Sequence, residues 1–256
     1  MSARIRTSDL TVPARFRGPA ASGNGGYTAG ALAERIPGDT STSVVEVRLR
    51  QPPPLDVPMK VRYDEGGDGS EAAVLLMGGA TIAVARLVDA DLDTVDQVST
   101  SEASDAMAQY PGLRSHPFPS CFACGTERAE GDGLRIFPGP VGAGGLASTW
   151  VPHESLAEFS DLHDNLSRVG RSTTWAALDC IGGWAGDIGE RKMVLGTMTA
   201  QLDALPLVNE PHVVVGALHG SEGRKTFTAS TLYDSDERIV GRAQHIWIAI
   251  DPSAFT

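Results

Sequence analysis

The sequence predicts an α+β protein made of two like halves, each an enclosed helix followed by four antiparallel strands. Three observations carry that prediction. The helix-then-strands order occurs twice, both helices lack a polar face, and short turns join the strands. A chain of 256 residues has room for two domains of about 110–130 residues each.

In the first half, the glycine-rich turn Gly23–Gly26 precedes a run of small and apolar residues. That run reads as a helix to about Ile36, where Pro37-Gly38 stops it. Strand-like runs rich in Val and Leu follow at 43–50, 59–63, 72–76 and 80–89. Pro52-Pro53-Pro54 and Gly66-Gly67-Asp68-Gly69 supply turns between them. The second half opens with a strand at 146–151, then a helix at 172–184. Strands follow at 193–202, 212–219, 225–233 and 238–250, with turns at 220–223 and 234–237. The connections are too short for helical crossovers, so antiparallel pairing is expected. The first helix is nearly all small residues, Ala29 to Ala33. The second carries Trp175, Leu178, Ile181 and Trp184 around its circumference. A helix apolar on every side is normally enclosed. The expected organisation is a domain over 1–113, a Pro/Gly-rich connecting segment over 114–142, and a second domain over 143–256.

The net charge of -11 argues against broad binding to nucleic acid or anionic membranes. No apolar run approaches the roughly 20 residues of a membrane span. The start of the chain lacks the apolar stretch of a secretory leader. Three cysteines are too few, and odd in number, for a secreted disulfide framework. These features lead to an expected cytoplasmic location.

Asp179 is the first candidate functional residue, the only charged side chain between Arg171 and Asp187. A carboxylate on an enclosed helix is costly unless it is used or paired. Desolvation would raise its pKa and make it a better base; capping a neighbouring backbone is the structural alternative. Asn24-Gly25-Gly26 at a helix start can offer backbone N–H groups to an oxyanion, or can simply form a tight turn. Thr197, Thr199, Gln201 and Gln244 on second-half strands could position a water beside Asp179, although polar residues are ordinary on an exposed strand face. Arg224 and Lys225, with Arg168 and Arg171, could hold phosphates or form solvated turns. Cys121-x-x-Cys124 supplies two metal ligands where a structural zinc wants four. His116 and Cys180 are the other candidates, and the expectation is reduced thiols with no metal and no cofactor.

These residues resemble a known family. GNGGYTAGALAERI is similar to the first-helix segment of acyl-CoA thioesterase-like hotdog domains, and WAALDCIGGWAG to the second-domain helix of the acyl-CoA thioesterase II type. CFACGTERAEGDGLRIFPGPV and GSEGRKTFTASTLYD resemble stretches of double-hotdog thioesterase family proteins. The resemblance covers about Arg15 to Ile250. It implies a tandem hotdog, two curved antiparallel sheets each wrapping a central helix, packed as a pseudo-dimer that could assemble further. It also implies hydrolysis of an acyl-CoA thioester, with Asp179, Gln244 and Thr197 or Thr199 as the catalytic set. Asn24, Gly25, Gly26, Arg224 and Lys225 would hold the substrate. Two features depart from the pattern. Gln201-Leu202-Asp203-Ala204 replaces the usual strand motif, and Ala33 stands where the first helix would carry an acid, with Glu34 one residue on. The first half therefore resembles a supporting copy. A non-catalytic acyl-CoA or lipid binder is the rival reading. A hydratase is another, for which Asp161-Leu162-His163-Asp164-Asn165 is the only local likeness.

Overall fold

The computed structural model describes residues 7–37, 42–65, 71–142, 144–158 and 164–251. The expected helix stop at Gly38, the Gly66–Gly69 turn and Asp161–His163 lie outside them. Strand β1 (Thr7–Leu10) leads to helix α1 (Gly25–Ala33), then β2 (Val45–Leu49), β3 (Met59–Glu65), β4 (Glu71–Met77) and β5 (Ala80–Leu87). Helix α2 (Thr100–Met107), β6 (Gly139–Val141), β7 (Gly145–Trp150), β8 (Ala157–Glu158) and β9 (Arg168–Val169) come next. Helix α3 (Arg171–Ala185) precedes β10 (Met193–Leu202), β11 (His212–Glu222), β12 (Lys225–Tyr233) and β13 (Ile239–Ala249).

The expected two sheets are one. Eleven strands run in the order β1-β3-β4-β5-β2-β10-β13-β12-β11-β7-β6, every neighbouring pair antiparallel. The halves join where β2 pairs with β10, Glu46 opposite Thr199 and Arg48 opposite Thr197. That pairing satisfies the backbone edge each half would otherwise leave open.

Helices α1 and α3 lie on one face of this sheet, packed on each other; α1 rests on β2 and β5, α3 on β11, β12 and β13. The residues that make α3 enclosed, Trp175, Ala176, Leu178 and Ile181, are at most 1% exposed. Two glycines one helical turn apart set the crossing. A Cβ on Gly26 would lie 2.5 Å from the Asp179 Cβ, and one on Gly30 would lie 2.7 Å from the Ser172 Cα. The backbones approach this closely because α1 presents no side chain there. Helix α2 was not anticipated, although Ser99-x-x-Glu102 is a helix-start signature and the Ser99 hydroxyl accepts the Glu102 N–H at 3.2 Å. It packs on β6, β7 and β11, and its Ala103 forms a small second core with Val213, Val215 and Tyr233. On β11, Val214 belongs to the main core instead, so the two strand faces meet different layers.

The segment after residue 114 does more than connect. Phe122 and Ala123 are wholly buried in the main core, and Phe122 forms an aromatic cluster with Phe16 and Tyr27. The Phe122 N–H donates to the Arg17 carbonyl at 2.7 Å and the Arg128 guanidinium to the Arg15 carbonyl at 2.8 Å, which ties this segment to the start of the chain.

Beneath α3 on the sheet is a buried imidazole. His245 Nδ1 lies 3.2 Å from the Thr228 hydroxyl, which accepts from Trp247 Nε1 at 3.0 Å, and His245 Nε2 has no partner. Burial pushes His245 down from 6.5 to about 4.

Gly30→Ala is expected to lower stability by about 1–3 kcal/mol, the cost of overpacking against backbone. An unchanged urea midpoint would show that the helices can separate freely. His245 gives a pH-dependent outcome. The unfolded chain protonates it below about pH 6.5 while the folded chain holds it neutral down to about pH 4. Its contribution to stability is therefore complete above pH 6.5 and is lost as pH falls, by about 1.4 kcal/mol per unit. Stability of the wild type relative to His245→Gln should fall by on the order of 3 kcal/mol between those pH values. A pH-independent difference between the two proteins would exclude His245 as the titrating group.

Candidate active site

The close helix crossing brings the N-terminus of α1 against the middle of α3. Asn24 caps α1, its side-chain oxygen accepting the Tyr27 N–H at 2.8 Å. Its amide nitrogen donates across to Asp179 Oδ2 at 3.2 Å, and the Gly26 N–H donates to the same oxygen at 2.8 Å. Asp179 therefore caps a neighbouring backbone, the structural role open to it from the sequence. The second oxygen, Oδ1, is buried without a partner. Burial raises the carboxyl from 3.8 to about 7, against the lowering effect of the Gly26 and Asn24 donors. A group near that value is a competent proton acceptor at neutral pH.

Asp179, Asn24 and Gly25 line a cavity of about 420 Å³. Its walls are chiefly apolar, from Leu49, Pro53, Phe118, Leu195, Trp247 and Ile248, and so come from both halves and from the segment after 114. Such a volume with few polar groups converging on it is typical of a small-molecule site. His116, Cys121, Cys124 and Cys180 also border it.

No protein-family profile and no curated protein matches the sequence. Solved structures do match along nearly its whole length. An acyl-CoA thioesterase II from Mycobacterium marinum is similar, with TM-score 0.61 and 10% identity over 98% of each chain. A tesB protein from Mycobacterium avium subspecies paratuberculosis matches with TM-score 0.58 and 10% identity, over 97% of this chain and 96% of that one. A protein of unknown function with a hot dog fold, from Alicyclobacillus acidocaldarius, has TM-score 0.54 and 10% identity over 98% of this chain and 95% of that one. The chain has a hotdog fold.

In this hotdog protein the other expected catalytic residues lie away from Asp179. Gln244 and Thr199 face each other across β13 and β10, on the face turned away from α3. Gln244 donates to Asp93 at 3.1 Å, and Gln201 bonds Arg242 and the Thr42 carbonyl. For the β10 residues, a β-bulge at Gly196 is the cause. Leu195 and Met198 both point to the core, so Thr197, Thr199 and Gln201 are turned outward.

Lys225 and Thr197 border a second cavity of about 400 Å³ with Glu46, Arg48 and Arg50. Leu49, Arg50, Gly196 and Ile248 line both cavities, so a basic rim adjoins the first one. Arg224 lies nearby, its guanidinium donating to the Ala249 carbonyl at 3.0 and 3.1 Å. Arg168 is ion-paired with Asp164 at 2.6 Å. Sequence reasoning overlooked Arg48 and Arg50; their alternation along an edge strand of the first half was the available signal. It also overlooked that Asn24 is both the cap of α1 and a partner of Asp179.

Glu34, the displaced acid of the first half, has its own place. It accepts the N–H of Ser172, the second residue of α3, at 3.2 Å, as Asp179 accepts from the second residue of α1. Burial raises its carboxyl, with Glu158 adding to the effect. No helix of the described residues is long and apolar enough to cross a membrane.

Proposed function

We propose that the protein hydrolyses acyl-coenzyme A thioesters in the Asp179 cavity. Its two halves would act as paired hotdog units, a catalytic second half and a supporting first half. The observation that carries this reading is the buried, half-satisfied Asp179 carboxyl in the wall of an apolar cavity, its pKa raised toward neutrality. The acyl chain would lie along the apolar walls. Asp179 accepts a proton from water as the resulting hydroxide adds to the thioester carbonyl. Charge then develops on the carbonyl oxygen, and collapse expels the coenzyme A thiolate. The Gly26 N–H is occupied by Asp179, so the oxyanion donor is assigned to the Gly25 N–H, at the helix start and in the cavity wall. Arg50 and Lys225, beside the Arg48–Glu46 ion pair, form the rim that would receive the nucleotide phosphates. A binding-only reading is favoured by one observation: Asp179 has neither the glutamine nor the threonine partner of the related catalytic set.

Asp179→Asn separates the two readings. It is expected to lower kcat by about 10²–10⁴-fold while acyl-CoA still binds. Gln244→Ala and Thr199→Ala should stay within about twofold of wild type, because their face of the sheet is not the cavity face. Hydrolysis unaffected by Asp179→Asn would remove Asp179 as the base. A wild type that binds but does not cleave any member of a chain-length panel would establish the binder. In a second experiment, Arg50→Ala with Lys225→Ala should raise KM for acyl-CoA about three- to tenfold and leave kcat unchanged. The same pair should not affect an acyl-pantetheine, which lacks the nucleotide phosphates. Equal effects on both substrates would place the phosphates elsewhere.

A further inference from the structure

Two thiols of the Cys121-x-x-Cys124 loop and a third from α3 meet at the cavity wall. The sulfurs of Cys121, Cys124 and Cys180 lie within 4.8 Å of one another, and Cys121 Sγ is 3.6 Å from Cys180 Sγ. Zinc–thiolate bonds of about 2.3 Å in a tetrahedral shell separate their sulfurs by about 3.8 Å. A single ion could therefore reach all three sulfurs after only small side-chain rotations. A disulfide requires an S–S bond of about 2.0 Å and would leave the third thiol out.

The surroundings are organised around sulfur. The Asn24 amide nitrogen lies 3.8 Å from Cys121 Sγ and 3.7 Å from Cys180 Sγ. Donors aimed at sulfur stabilise thiolate, the form that binds metal. The loop is folded tightly for this purpose: the Gly125 N–H donates to the Cys121 carbonyl at 2.9 Å, and a Cβ on Gly125 would lie 2.4 Å from that oxygen. Three thiolates this close repel one another and need a cation to coexist.

His116 is not the fourth ligand. Its Nδ1 accepts the Phe118 N–H at 2.9 Å and its Nε2 contacts the Cys124 carbonyl at 3.1 Å, so both ring nitrogens are engaged. All three cysteines border the cavity, which leaves the fourth position facing it.

We propose that Cys121, Cys124 and Cys180 form a three-thiolate site for a thiophilic divalent cation, Zn²⁺, with its fourth coordination position open to the Asp179 cavity. Binding releases the thiol protons and joins the segment after residue 114 to α3 through the metal. The proposal rests on sulfur geometry and does not depend on the hydrolase reading.

The test uses the full chain, produced with zinc present and purified under reducing conditions without chelator. Metal analysis is expected to find about one zinc per chain. Cobalt replacing it should give an intense thiolate-to-cobalt charge-transfer band, lost in Cys121→Ser and in Cys180→Ser. All three thiols should resist a thiol reagent until a chelator is added. Should the serine variants fail to fold, the reduced, chelator-stripped wild type titrated with cobalt answers the same question, and re-addition of zinc should raise its Tm. Under the proposal, the metal is retained whether or not the protein cleaves thioesters. It is overturned if the reduced wild type binds neither ion through sulfur, shown by no charge-transfer band on cobalt titration. It is equally overturned if two thiols are found as a Cys121–Cys180 disulfide in metal-free protein.

Discussion

The contact between Gly26 and Asp179 is the constraint from which the rest of the site follows. It requires one helix to present bare backbone where the other presents a carboxyl, with a Cβ on Gly26 left only 2.5 Å from Asp179. The same closeness at Gly30 holds the helices in register. Two donors lower the Asp179 pKa and burial raises it; burial dominates, leaving the carboxyl at about 7. That shift of about three units corresponds to roughly 4 kcal/mol in favour of the neutral form. Well-formed hydrogen bonds to Oδ2 are not enough when Oδ1 has no partner and the group is 2% exposed.

The contact has a counterpart. Glu34 of the first half accepts from the second residue of α3, as Asp179 of the second half accepts from the second residue of α1. The two places have diverged in what surrounds them. At the Asp179 end a cavity opens onto the carboxyl. At the Glu34 end Tyr27 lies beside Ser172, its ring stacked on Phe16 at 3.9 Å. One arrangement of helices thus offers two acid–amide contacts, with an aromatic ring at one and open space at the other.

Much of the fold was legible because it rests on local pattern. Strands β10 and β12 begin and end where alternation and turn residues put them. Helix α3 is as enclosed as its all-round apolar surface implied. Asp179 stood out for the same reason, as one charge in an apolar helix. Legibility failed where one residue changes parity. A regular β10 would put Leu195, Thr197 and Thr199 on one face; the bulge at Gly196 sends both threonines outward. Alternation along a sequence cannot show a bulge, because the extra residue is defined only by the partner strand.

The sequence by itself determined the two enclosed helices, the main strands of both halves, and that one acid sits among apolar neighbours. These follow from periodicity and from the cost of burying charge, which act over a few residues. Only the tertiary structure decided that the sheets join through β2 and β10, that Asn24 serves Asp179 as well as its own helix, and that Cys180 meets a Cys-x-x-Cys loop more than fifty residues earlier. Each of these is a contact between surfaces distant in the chain, and the Asn24–Asp179 contact is set by how closely two helices can approach. In the case of α1 and α3, that approach depends on Gly26 and Gly30 having no side chain.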